Sequence, residues 1–436
     1  MKISSLELHS IAIADPPLRS SYGRHAPWAL RTLVELRTDD GITGISETFG
    51  GDGPRAALEA IRPRVIGMNP FRLAGLYQDM LQTAAASGDV PGGRSQTWLV
   101  PGENPLDQHN RTFAAIEIAC LDIAGKAVGQ PVCDLLGGRV RDRVPFSAYL
   151  FYKHGGGGGD GTYGDKYGEV LDAAAAVREC RQMVEEYGFR EIKLKGGVLE
   201  PAEEIETIKQ LRAAFGPKVP LRIDPNCAWS IGTSVMVGES LREELSGGGY
   251  LEDPCPELSG MSGVRKKLLE KGMDVALGSN VAVTAFPDVL RARELDAVQI
   301  VLSDPHYWGG LRQVQYLSHL TQTLGMGLSM HSNSHLGVSL MAMTHVAAAC
   351  PNLTYACDTH YPWQTERDEV VAGGRIKFEN GSVVIPDKPG LGVELDYDQL
   401  ARGRERYEKI SYRKRDDEAE MRKHVDPNWK RVLPRW

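Results

Sequence analysis

Residues 190–226 read REIKLKGGVLEPAEEIETIKQLRAAFGPKVPLRIDPN. A short apolar segment ends in Lys-Leu-Lys-Gly-Gly, a stretch of helical periodicity follows, and a second short apolar segment ends in Asp-Pro-Asn. Strand, helix, strand is the unit of parallel α/β folds. Outward from this stretch the unit recurs, its strand segments being VPFSAYLFY, REIKLKGG, PLRIDPN, YLEDP, DVALGSN, AVQIVLSD, MGLSMHSN and LTYACDTH. One mark per segment from the second onward is Lys195, Asp224, Glu252, Asn280, Asp304, His331 and Asp358. The intervals are 29, 28, 28, 24, 27 and 27 residues. Eight strand–helix units at so even a beat predict a (β/α)8 barrel of the TIM type. A doubly wound open sheet is the competing arrangement, but it seldom keeps this regularity, and no phosphate-binding turn is present. HGGGGGD at 154–160 lacks both the GK[ST] of a P-loop and the spaced glycines of a dinucleotide turn. It reads as a flexible loop after the first strand.

The stretch before the barrel, residues 1–135, has a different texture. RTLVELRTDDGITGISE is two alternating runs joined by Asp-Asp-Gly, a hairpin signal. RTFAAIEIACLDIAGKAVG has helical spacing and ends on glycine. These predict an α+β unit, with the barrel at 136–370. Residues 371–436 leave the barrel pattern and are expected to return to the N-terminal unit and complete it.

Composition narrows the class of function. The chain has 436 residues, 42% hydrophobic and 25% charged, with a formal net charge of −7. No basic block points to nucleic acid, and no apolar run approaches a membrane span of roughly 18 residues. The N-terminus lacks the features of a signal peptide. Seven scattered cysteines without a CxxC pair suit reduced thiols in a cytoplasm. The expectation is a soluble cytoplasmic enzyme acting on a small molecule.

Barrel active sites lie at the C-terminal ends of the strands, so the marks above are candidates by position. Asp224, Glu252 and Asn280 end three successive strands with oxygen donors, a set suited to Mg2+ rather than zinc. Any one of them alone would more simply cap the helix that follows; three in consecutive registers favour the metal. Lys193 and Lys195 are two residues apart and so share one face of a strand. On a strand buried by flanking helices, two lysines fit only at the mouth. A lysine crowded by a second ammonium and desolvated has a lowered pKa and becomes a usable general base. The glycines after it would let backbone approach a ligand. His331 ends the seventh strand and Asp304 the sixth, so carboxylate and imidazole can pair. Base, metal and acid/base in that order equip a site to take a proton from carbon beside a carboxylate.

On KLKGG at 193–197, DPNCAWS at 224–230, EDPC at 252–255, GSN at 278–280, DPHYWGG at 304–310, HSNSH at 331–335, THVAAACP at 344–351 and DTHYPWQ at 358–364, the chain resembles the enolase superfamily, and within it the glucarate dehydratase group. The resemblance implies a modified (β/α)8 barrel under an α+β capping domain built from both ends of the chain. It implies Lys195 as the base, Lys193 as the partner that holds the substrate carboxylate, and Mg2+ on Asp224, Glu252 and Asn280. His331, oriented by Asp304, would assist loss of the β-hydroxyl. Asn226 and Asn333 match positions near metal and substrate. His25, Thr97, Tyr149, His360 and Arg415 match positions that meet the distal end of a diacid sugar. A homo-oligomer is implied in the same way. Two loops depart from the pattern, the long one near 95–110 and the glycine run 155–159, and Glu257 stands as a weaker metal candidate than Glu252.

The function implied is dehydration of an acid sugar, D-glucarate or an epimer such as L-idarate, to a keto-deoxy acid. The same residues would serve a racemase or epimerase, or a dehydratase of another acid sugar. A catalytically silent ligand-binding barrel is a remote third reading, and the intact candidate set counts against it.

Overall fold

The computed structural model describes residues 1–86 and 105–436 of the chain. Near the N-terminus, strands Ile3–Ala14, Trp28–Thr38 and Thr43–Phe49 form an antiparallel sheet in that order. The second and third are the hairpin expected from Asp-Asp-Gly, with Gly41 at φ 83° and Thr38 N–H donating to the Ile42 carbonyl at 2.9 Å. Helix Pro105–Val128 lies on this sheet. Its Ile116, Ala119 and Ile123 share a buried cluster with Val34 and Leu36 of the sheet.

The barrel wall is a seven-stranded parallel sheet whose neighbours follow chain order. From first to seventh the strands are Ala148–Phe151, Ile192–Lys195, Leu221–Asp224, Tyr250–Glu252, Leu277–Ser279, Ile300–Ser303 and Gly327–Met330. Helices between them fill the outer layer, and the short interval of 24 residues has a plain cause. The helix between fifth and sixth strands, Phe286–Glu294, has nine residues, against 15 in Pro201–Phe215. Helix Gly337–Ala349, after the seventh strand, is buried along its whole length.

The eighth segment, LTYACDTH, forms no continuous strand. It closes the wall through single bridges, Leu328↔Leu353 and Phe146↔Cys357. The Thr354 hydroxyl takes the Leu328 N–H at 3.0 Å, so a side chain stands where a ladder carbonyl would.

The expectation of a flexible glycine loop is corrected. Gly156 N–H donates to Asp165 at 2.6 Å and Gly159 N–H to the Pro27 carbonyl at 2.6 Å. Gly158 has φ 79°, and a Cβ there would collide with the Asp15 carbonyl. Gly158 is a glycine because the backbone there is pressed against the end of the first N-terminal strand, and Gly157 because it is pressed against Tyr163 and Gly164 of the same loop.

Helix Tyr397–Lys409 packs on strand Ile3–Ala14, with Arg406 Nε donating to the Ala12 carbonyl at 3.0 Å. Arg435 N–H and Trp436 N–H both reach the Ala228 carbonyl, at 2.7 and 3.0 Å. Among the described residues, no helix is long and apolar enough to cross a membrane.

Candidate active site

Strand pleating sends Lys193 and Lys195 to one side of the second strand and Leu194 into the hydrophobic core on the other. The register sets Lys193 beside Tyr149 of the first strand and Lys195 beside Asp224 of the third. The turn that follows is fixed by Glu204, which accepts the N–H groups of Gly197, Val198 and Leu199 at 2.9–3.0 Å. Gly197 has φ 72°, and its missing Cβ makes room for the Pro225 carbonyl. At this position the close approach is to the chain's own backbone, not to a ligand as the sequence led us to expect.

The two ammonium groups sit in a ring of carboxylates. Lys193 Nζ lies 2.6 Å from Glu252 Oε2, 2.7 Å from Asp358 Oδ2 and 3.3 Å from Asp224 Oδ2, with the Tyr149 ring centroid at 4.7 Å. Lys195 Nζ lies 2.7 Å from Asp224 Oδ2. The expectation of ammonium repelling ammonium is therefore incomplete. Burial lowers the Lys193 pKa, but Asp358 and Glu252 outweigh it and hold that group well above the ordinary lysine value. Asp224 stays below the carboxylate range, because Lys195 and Lys193 overcome its burial. Glu252 moves the other way: burial and the negative charge of Asp224 outweigh Lys193 and push it well up.

These groups meet the requirements of a hard cation. Glu252 and Asn280 are buried; Glu252 Oε2 is paired with Lys193 Nζ, while Glu252 Oε1 and Asn280 Oδ1 accept no hydrogen bond. A buried acceptor without a donor costs free energy, and positive charge beside Glu252 would relieve it. Asn280 is positioned by Asp253, which takes the N–H groups of Asn280 and Val281 at 2.9 and 3.1 Å and the Ser279 hydroxyl at 2.5 Å. Among the described residues, no three His, Cys, Asp or Glu side chains are arranged as a metal centre. The donor set here is two carboxylates and an amide oxygen, a chemistry for Mg2+ and not for zinc. Glu257 is half-buried at the start of helix Leu258–Glu270, and Ser259 Oγ donates to it at 3.3 Å.

Asp304 is the junction of a second group. Its Oδ2 is 3.1 Å from His331 Nδ1 and 3.4 Å from Asn333 Nδ2. Its Oδ1 is 2.8 Å from His306 Nδ1 and accepts the His306 N–H at 2.9 Å. Burial disfavours the Asp304 charge, yet His306 and His331 outweigh it and hold the pKa well below the usual range. The N-terminal sheet reaches this group: Arg31 Nη1 donates to Asn333 Oδ1 at 3.2 Å, and Arg31 Nε to Glu47 Oε1 at 2.8 Å.

A third group gathers around Asp15, whose Oδ2 lies 3.1 Å from His25 Nδ1, 3.1 Å from Ser334 Oγ and 3.3 Å from Arg415 Nη1. His360 stacks edgewise on Tyr149, with centroids 5.0 Å apart, and its Nδ1 is 3.1 Å from Ser332 Oγ. Burial, then the charges of His25, His331, His335 and Lys195, drive His360 well below the usual histidine value. One imidazole thus feels all three groups. Asn226 accepts from the Tyr22 hydroxyl at 3.1 Å and from its N–H gives to Asp224 Oδ1 at 3.0 Å. Thr97, with most of the 95–110 loop, lies outside the described residues.

Asp15, His306, Asp358 and Arg31 were not singled out as site residues from sequence. Asp358 had a signal, its place at the end of the eighth segment; Asp15 and Arg31 had none, because Arg415 and Asn333, the partners that bring them to the site, are hundreds of residues away.

Comparison with known proteins extends the picture. Residues 14–137 match the mandelate racemase / muconate lactonizing enzyme N-terminal domain, and residues 175–400 match the enolase C-terminal domain-like family. A probable glucarate dehydratase of Streptomyces coelicolor is 43% identical, the match covering 100% of this chain and 99% of the relative. A D-xylonate dehydratase of Haloferax volcanii is 28% identical over 86% of this chain and 84% of its own. Among solved structures, an enolase of Pseudomonas fluorescens with bound magnesium, potassium and tartrate superposes with a TM-score of 0.91 at 44% identity, covering 100% of this chain and 99% of that one. Another, from Thermobispora bispora with magnesium and formate, gives 0.90 at 45% identity over 100% of both chains.

Proposed function

Since the chain belongs to the enolase superfamily, with both the mandelate racemase / muconate lactonizing enzyme N-terminal domain and the enolase-like C-terminal domain, we propose that it is a Mg2+-dependent dehydratase of acid sugars. D-glucarate, or an epimer such as L-idarate, is the substrate we favour. The observation that carries this reading is the Lys193–Lys195 pair inside its carboxylate ring, with the Asp304–His331 pair on other strands of the same wall. The dehydratase names of the relatives and the magnesium in the solved structures support it.

In this reading Lys195, as the free amine, takes the proton from the carbon next to the substrate carboxylate. Lys193 is held as an ammonium by Asp358 and Glu252, so it stabilises the negative charge that spreads onto that carboxylate. Asp224, Glu252 and Asn280 would hold Mg2+, which would supply further positive charge to the substrate carboxylate. His331 gives its proton to the β-hydroxyl, which leaves as water, and the enol that remains becomes the 2-keto-3-deoxy acid. Asp304 orients His331 through Nδ1, leaving Nε2 to face the substrate. Asn226 and Asn333 would serve metal and substrate, and His25, Tyr149, His360 and Arg415 the distal end; Thr97, assigned the same role from sequence, lies outside the described residues.

The division at 1–135, 136–370 and 371–436, a homo-oligomeric assembly and a cytoplasmic location complete the proposal; all seven cysteines are free and buried, in keeping with a reducing compartment. The test is a keto-acid screen of mono- and diacid sugars with Mg2+, alongside Lys195→Ala and His331→Ala. Keto acid from D-glucarate or an epimer, lost in Lys195→Ala, supports the proposal. Exchange or inversion at the α-carbon without keto acid would instead identify a racemase or epimerase using the same residues.

A further inference from the structure

His306 is buried beside the proposed acid/base pair and is not used in the scheme above. Its Nδ1 is 2.8 Å from Asp304 Oδ1. Its Nε2 is 3.1 Å from the Glu47 main-chain carbonyl and 3.0 Å from Ser339 Oγ. An ionised carboxylate and a carbonyl can only accept. A neutral ring would have to leave one nitrogen lone pair facing one of these oxygens at hydrogen-bonding distance in a buried site. Ser339 can give or take, so it does not force the choice, and the carbonyl does.

We infer that His306 carries a proton on both ring nitrogens and, as a cation paired with Asp304, sets how strongly Asp304 holds His331. Asp304 then divides its charge between two imidazoles: one permanently charged and anchored to the N-terminal sheet, the other exchanging protons with substrate. The kinetic consequence rests on the proposed dehydration; the protonation of His306 does not.

The other charges nearby leave this assignment intact. On the N-terminal sheet, Arg31 is neutralised by the Glu47 carboxylate at 2.8 Å, while that carboxylate also takes the N–H groups of Leu336 and Ser339. On helix Pro105–Val128, which packs on the short helix Pro305–Trp308, Glu117 is engaged by Leu311 N–H and the Arg111 guanidinium lies over the Phe49 and Tyr307 rings. From the segment before Gly337–Ala349, buried His335 is lowered to about 4 by burial above all, with charge on His306 among the lesser causes, and so stands neutral. Among the described residues, Asp304 is the one carboxylate hydrogen-bonded to the His306 ring.

His306 is thus a positioning residue. Removing it leaves Asp304 facing His331 alone, which favours the protonated form of His331. In His306→Gln, the limb of the kcat/KM profile governed by His331 should move to higher pH, the direction expected when a like charge beside the protonated ring is removed. A merely structural role would lower the rate without moving that limb. The primary experiment needs no substrate: ring-nitrogen NMR of 15N-histidine-labelled full-length protein loaded with Mg2+, His306 being assigned by its loss in His306→Gln. Both ring nitrogens of His306 should give protonated-type shifts across neutral pH, and should continue to do so in Ser339→Ala. An unprotonated nitrogen in the wild type would overturn the inference, as would an unmoved kinetic limb in His306→Gln. If no acid sugar is turned over, the proposed reaction fails, and the NMR result still decides the protonation of His306.

Discussion

Lys195 Nζ and Asp224 Oδ2 are hydrogen-bonded at 2.7 Å across adjacent barrel strands. The proposed base and a bound Mg2+ would therefore draw on the same carboxylate, and their positive charges would compete for it. Lys195→Ala should abolish keto-acid formation, a loss at the upper end of the roughly 10²–10⁴-fold typical of positioned proton transfer. The same substitution removes a cation competing for Asp224, so calorimetric Mg2+ affinity should hold or rise. A loss of Mg2+ binding in Lys195→Ala would contradict the assignment of separate roles.

Asn280 Oδ1 and Glu252 Oε1 are buried acceptors without donors. Asn280→Ala should weaken Mg2+ by more than the roughly 10–100-fold that outer partners of metal sites are worth. Circular dichroism should stay unchanged, since the amide oxygen supports no other described contact. Unchanged Mg2+ affinity would remove Asn280 from the donor set.

Asp15 gathers His25, Ser334 and Arg415 on one oxygen. His25 and Arg415 outweigh the burial of Asp15 and keep it charged below the usual carboxylate range. Asp15→Ala releases both the His25 and the Arg415 side chains from their positions. KM for a diacid sugar should rise at least as much as a lost charged hydrogen bond implies, about tenfold. KM for the matching monoacid should change little. Equal effects on both substrates would show that Asp15 supports folding and not the distal contact.

Glu117, on the helix of the N-terminal unit, accepts the N–H groups of Leu311 and Arg312 at the start of the barrel helix Leu311–Thr323. Burial outweighs these bonds and raises it from 4.5 to about 7. The folded protein thus binds this proton more tightly than the unfolded chain. The linked stability is fully present below about pH 4.5 and is lost as pH rises through about 7, a span on the order of 3 kcal/mol. Glu117→Gln keeps an acceptor for Leu311 N–H and cannot ionise. Its melting temperature should vary less than the wild type's between those pH values and should exceed the wild type's above pH 7. Parallel melting curves for the two proteins would refute this.

What the sequence revealed follows from what is local. Lys193 and Lys195 were readable because two-residue spacing on a buried strand has one physical outcome. Asp224, Glu252, Asn280, Asp304 and His331 were readable because the repeat marks each strand end. Asp15 was not, since its meaning arises where an N-terminal strand end, Ser334 of the barrel and Arg415 of the tail meet. His306 was quoted within DPHYWGG but given no role, because its two acceptors come from Asp304 and from Glu47 on the N-terminal sheet. The glycine run was misread for a related reason: composition records freedom of the backbone, and tight packing against Asp15 exploits the same lack of a side chain.

The seam left by the eighth segment divides the site by mechanical stiffness. Lys193, Lys195, Asp224 and Glu252 stand on strands hydrogen-bonded to both neighbours, where a shift of one residue disturbs two others. His360 follows a segment attached by isolated bridges. A lineage exploring new sugars could therefore vary the seam by insertion or substitution while the proton-transfer machinery kept its register. For protein engineering, the same asymmetry marks 359–364, beyond Asp358, as the place to build libraries, and Asp358 with the second to fourth strands as the part to leave untouched.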